Sequence, residues 1–185
     1  SAQTRYSDAL GQTDRAMELE LEMATCSIEQ GLFDEAEVAL DALRRSTLAN
    51  LTTIAASHAL SAQQFLLRGA YAPAFAHANE GLKLLHEGKV DEKSLYGSLH
   101  SWAALVLESA GFRDEALARW EWVDQFSPSF ESSAHQSRIL GAMGRVDEAV
   151  EKLEPYFETD AARETTVLQG CLLASTERRG EARAS

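Results

Sequence analysis

One short phrase recurs four times in this chain, and its spacing limits what the chain can fold into more than any other feature. The copies are Gly31-Leu32-Phe33-Asp34-Glu35-Ala36, Gly69-Ala70-Tyr71-Ala72-Pro73-Ala74, Gly111-Phe112-Arg113-Asp114-Glu115-Ala116 and Gly144-Arg145-Val146-Asp147-Glu148-Ala149. Glycine and alanine stand five apart in every copy, and successive glycines are 38, 42 and 33 residues apart. Apolar residues three and four apart flank each phrase on both sides, so each glycine marks the turn of a helical hairpin. Glycine suits that place because the chain must leave the first helix through a left-handed or otherwise open backbone. The acidic pairs after it sit at the positive end of the second helix, and Pro73 occupies a first turn where its missing N–H is no loss.

A second small residue stands seven positions before each glycine: Ala24, Ala62, Ala104 and Ser137. Small side chains at matched places on two helices let their backbones approach closely. These anchors predict helices at about 13–30 and 33–46, 50–68 and 71–87, 92–110 and 113–126, and 130–143 and 146–158. A ninth helix is expected from near Ala161, with Val167, Leu168, Cys171 and Leu172 on one face and Gly180 at the next turn. The expected fold class is all-α, one domain over 1–185, with repeats at about 13–46, 50–87, 92–126 and 130–158 and a partial repeat at 161–185. Ala, Leu and Glu dominate, with only 3 Pro and 11 Gly, which favours helix over strand.

From about Met17 to Phe157 the chain resembles the tetratricopeptide repeat family. The resemblance rests on the turn glycines, the small pairs, Phe33 and Tyr71, and Pro128 where that family often ends a second helix. It implies a right-handed α-solenoid, about four antiparallel pairs plus a terminal helix, whose first helices line a concave groove for peptides or protein segments. The chain departs from the family where a large aromatic is expected early in each first helix, since Glu20, His58, His100 and Ser133 stand there. The spacings of 38 and 42 resemble sensor and scaffold regions of bacterial regulators.

Seventeen Lys and Arg against 29 Asp and Glu give a net charge of −12. Such a surface repels phosphate backbones and anionic headgroups, so neither nucleic acid nor membrane is an expected partner. The basic stretch from Arg178 to Arg183 is short and interrupted by Glu181. No long apolar run is present and the start lacks a signal-peptide plan, which points to the cytoplasm. Cys26 and Cys171 have no ligand-spaced neighbours and read as small buried hydrophobes in a reducing compartment.

Nothing in the spacing assembles a catalytic site. Of the five histidines, His58 and His100 fall at equivalent repeat positions, so packing accounts for them more simply than metal binding. Cys26 has no nearby base, and single glycines at turns do not make a phosphate loop. The pairs Asp34-Glu35, Asp114-Glu115 and Asp147-Glu148 are explained together by helix-start electrostatics. Trp120 is expected in the core and Trp122 at an edge or a contact site. The expectation is a protein-interaction scaffold without catalytic residues, cofactor or metal, binding a protein or peptide partner along the groove. The groove residues are Leu21, Leu66, Leu105 and Arg138, with Ala59 and Glu108 among the flanking positions. With Arg138 the lone cation there, a carboxylate clamp is not expected, and an apolar or helical segment is the expected ligand. The alternative is a ligand- or peptide-sensing regulatory module of a larger bacterial signalling or transcription-regulating protein. Self-association through the C-terminal helix is a third expectation.

Overall fold

In a computed structural model, residues 2–157, 164 and 168–169 are described. Among them the chain is all-helical, with no strand: α1 (Ala2–Glu29), α2 (Phe33–Arg45), α3 (Leu51–Leu67), α4 (Tyr71–Glu87), α5 (Lys93–Ser109), α6 (Arg113–Phe126), α7 (Phe130–Met143) and α8 (Val146–Glu151), then a 3₁₀ turn (Glu154–Tyr156). The chain divides into two compact units, Ser1–Val106 and Leu107–Ser185. In the first, α1 packs on α2 and α3, α2 on α3, and α3 on α4; in the second, α7 packs on α6 and α8.

The four turns share one geometry. Gly31, Gly69, Gly111 and Gly144 all have positive φ, between 70° and 86°. Each glycine N–H donates to the carbonyl three residues back, and the next N–H donates to the carbonyl five residues back, as in Leu32 N to Ser27 O at 2.8 Å and Arg145 N to Leu140 O at 2.9 Å. This is the Schellman arrangement, which satisfies carbonyls that a helix end leaves without partners. The following helix then starts by a bond from the alanine N–H to the carbonyl of the residue after the glycine, at 2.9 to 3.2 Å in the four copies. Ala36, Ala74, Ala116 and Ala149 are fully buried, as are Ala62, Ala104 and Ser137, with Ala24 at 1% exposure. The acidic pairs lie in the first turns of α2, α6 and α8, where the helix dipole stabilises them.

Among the described residues the first unit holds three apolar clusters. Met17, Ala24, Leu40 and Leu43 form the first, Ala55, Ala59, Leu85 and Leu99 the second, and Ala62, Ala78 and Ala103 the third. Asn50 and Ser129 open α3 and α7 by accepting from the Thr53 and Ser132 backbone N–H groups.

Several sequence expectations are corrected. α1 begins at Ala2, not near residue 13: nothing before Thr13 interrupts helix strongly enough, since Gly11 is a single residue with open space around it. α8 ends at Glu151 instead of running to 158, because Pro155 cannot donate to the helix and sits instead in the 3₁₀ turn that Glu154 begins. Cys26 is a free, exposed thiol, not a buried one. It stands two residues from both Ala24 and Ile28, which α1 buries, and so falls on the opposite face. The ninth helix, Cys171 and the basic stretch lie outside the described residues, apart from helical positions 164, 168 and 169.

Candidate functional site

The four residues singled out for the groove have different settings. Leu21 is half-buried and packs against the Met17, Ala24, Leu40 and Leu43 cluster. Leu66 and Leu105 are half-buried on α3 and α5, and Arg138 is exposed on α7. Ala59, a flanking groove position, is at 6% exposure inside the second apolar cluster, so it serves the core rather than a surface. Trp120 is core, at 2% exposure, while Trp122 is half-buried with its ring 4.3 Å from that of Phe126.

Two polar clusters were not foreseen as units. The first joins α2 and α3. The Arg44 guanidinium donates to Glu37 Oε1 at 2.5 Å, Asp41 Oδ1 at 2.6 Å and Ser61 Oγ at 2.8 Å. Glu37 Oε2 accepts from Ser61 Oγ at 3.2 Å and from Gln64 Nε2. Arg44 is only 12% exposed, so its charge depends on these acceptors. The Arg44 hydrogen bond holds the Asp41 carboxyl below its usual range. Gln64 is fully buried, and its Oε1 has no hydrogen-bond partner among the described residues.

Beside this network, His58 Nδ1 and His77 Nδ1 face each other at 2.9 Å. One ring must donate and the other accept, so both are neutral or share one proton. Burial pushes His58 down to about 4, helped by His77 and Arg44. Burial and then Arg44 lower His77 as well, against the opposing pull of Glu37 and Asp41. Phe65 stacks on His77 with ring centroids 5.4 Å apart. The expected equivalence of His58 with His100 therefore misses the residue that His58 touches. A signal was available: on the two arms of the hairpin that Gly69 turns, His58 stands four before Ala62 and His77 three after Ala74, each one turn further from the glycine.

The second cluster joins the end of α5 to α6 and α7. His135 Nδ1 lies 2.8 Å from Glu108 Oε2, and Arg138 Nη2 donates to Glu108 Oε1 at 3.1 Å. Arg138 Nη2 is also 2.6 Å from His135 Nδ1. A nitrogen beside both a carboxylate and a guanidinium must carry the proton towards the carboxylate, so the close arginine contact is between two donors converging on one acid. Trp120 stacks on His135, centroids 4.4 Å apart. Burial alone would raise the Glu108 carboxyl, but the hydrogen bond and charge of His135, with Arg138, hold it below the usual range. The buried Trp120 indole N–H, which has no hydrogen-bond partner of good geometry among the described residues, adds to the lowering.

Among the described residues, no three ligating side chains converge as a metal site, and no helix is long and apolar enough to cross a membrane. No family model matches the chain, and no curated protein or solved structure matches it significantly.

Proposed function

We propose that this chain is a protein-interaction scaffold: a right-handed stack of tetratricopeptide-like hairpins that holds an apolar or helical protein segment against its first helices. One observation carries the reading. The frame positions are the same in all four hairpins, with positive-φ glycine and buried small residues. The position six before each glycine instead changes chemistry, reading Thr25, Gln63, Leu105 and Arg138, and every one of these retains solvent exposure. Frame residues recur because each does the same packing job, whereas displayed residues are free to differ and so to specify a ligand. Leu66 and Leu105, half-buried on α3 and α5, are the apolar anchors of the first unit. Burying the remaining exposed half of such a side chain against a partner contributes about 1 kcal/mol, a part of what full burial of a leucine gives.

Selection of a displayed peptide library against the intact chain tests this. Enriched peptides are expected to bind the wild type and to lose at least about ten-fold in affinity for Leu66→Glu/Leu105→Glu, a difference of about 1.4 kcal/mol. Failure to enrich any sequence, or equal binding to a folded double variant, would overturn it.

A further inference from the structure

We propose that His58 and His77 form a two-imidazole site for a divalent transition-metal ion of the copper and nickel type, closing the α3–α4 hairpin. The two Nδ1 atoms stand 2.9 Å apart. Two imidazole ligands about 2.05 Å from a metal and about 90° apart in a tetragonal site stand about 2.9 Å from one another. The nitrogens are thus already at the separation that adjacent ligands of a square-planar or tetragonal ion adopt.

Binding needs no net loss of a proton. The hydrogen between the rings moves to Nε2 of the ring that carried it, by tautomerisation, and two Nδ1 lone pairs then converge on the ion. Neutral rings are what a metal requires, and burial disfavours the charged form of both. The charged groups facing the pair are of both signs, and Arg44, the strongest of them on each ring, is itself paired to Glu37 and Asp41. Glu37 and Asp41 on α2 and Glu80 on α4 act against Arg44 on α2.

The surroundings also hold the rings in place. Phe65 stacks on His77, which fixes that ring's plane. Gly81 lies one turn beyond His77, and a Cβ there would stand 3.3 Å from the His58 Cβ and closer still to Leu99. The missing side chain at Gly81 therefore lets α4 approach α3 at the level where the histidines meet. With no third protein ligand converging among the described residues, water completes the coordination sphere.

The test uses the intact, tag-free chain stripped with chelator and titrated separately with Cu²⁺, Ni²⁺ and Zn²⁺. Calorimetry is expected to give one dominant site whose affinity follows Cu²⁺ above Ni²⁺ and Zn²⁺. Electron paramagnetic resonance of the Cu²⁺ form should show coupling to two nitrogens. His58→Gln and His77→Gln should each weaken Cu²⁺ at least ten-fold, while His86→Gln, on the exposed side of α4, should leave it unchanged. Should either variant fail to fold, Ni²⁺ broadening in the wild-type histidine NMR spectrum decides instead. Loss of the His58 and His77 signals before those of His86, His100 and His135 supports the site. Equal Cu²⁺ affinity in wild type and folded variants, or first broadening at another histidine, overturns it.

Discussion

The two units use the same turn but surround their half-buried acids with different bases. In the first, Glu37 faces an arginine with 12% of its side chain exposed. In the second, Glu108 faces His135 and an arginine whose side chain is 50% exposed. A guanidinium cannot shed its proton, so once Glu37 is gone Arg44 must keep its charge in a place that water reaches poorly. An imidazole can become neutral, and an exposed guanidinium can turn to solvent. The difference teaches that the weight of a half-buried carboxylate lies less in its own depth than in what its partners can do without it.

The largest expected effect separates the two acids directly. Glu37→Ala strands Arg44 with Asp41 and Ser61 as its remaining side-chain acceptors and leaves the Gln64 amide without the one it had. A loss of about 3 kcal/mol in urea unfolding is expected, the scale for removing one partner of a buried pair. Glu108→Ala should lose about 1 kcal/mol, the scale of an ordinary hydrogen bond. Equal losses would break the comparison and mean that partner exposure does not govern the cost.

What was legible in the sequence follows from this contrast. The turn glycines and the small pairs could be read because each answers to a local rule: positive φ favours glycine, and close helix approach favours a small side chain. Most helix ends between residues 31 and 146 followed from those anchors, to within a residue. The Glu37–Arg44–Gln64 network was not legible, because it depends on how α2 settles against α3 across the connection at 46–50, and no periodicity fixes that register. Glu108 and His135 stand 27 residues apart on helices that meet only in the fold. Of the groove residues, Arg138 could be noticed as the only cation among those positions and Glu108 as a flanking one, but their pairing could not. Cys26 was legible and was misjudged: its two-residue offset from Ala24 and Ile28 already placed it outside.

A smaller effect tests whether the frame is indeed alike in both units. A Cβ on Gly31 or on Gly111 would meet nothing within 4 Å, so replacing either by alanine adds no clash. The cost is purely that of holding φ near 76° or 86° with a side chain present, about 1 kcal/mol. Thermal unfolding of Gly31→Ala and Gly111→Ala should therefore show the same loss. Unequal losses would show that one turn carries strain or packing that the other does not.

The smallest expected effect is one of pH. Glu108 has a folded pKa below its unfolded value, so the unfolded chain binds more protons as acid is added. Its contribution is fully present above the model-peptide value of 4.5 and is lost as pH falls through the lower, folded value. Because part of the group faces solvent, the contribution stays below about 1 kcal/mol. Hydrogen exchange of α6 and α7 amides, followed from pH 6 to pH 3 in the wild type and in Glu108→Gln, isolates it. The wild type should lose the protection that Glu108 confers only below pH 4.5, and the glutamine variant should lack that step while keeping the rest of the acid response. A step in the same window in both proteins would mean that another carboxylate is responsible, and that His135 and Arg138 hold Glu108 less firmly than their geometry implies.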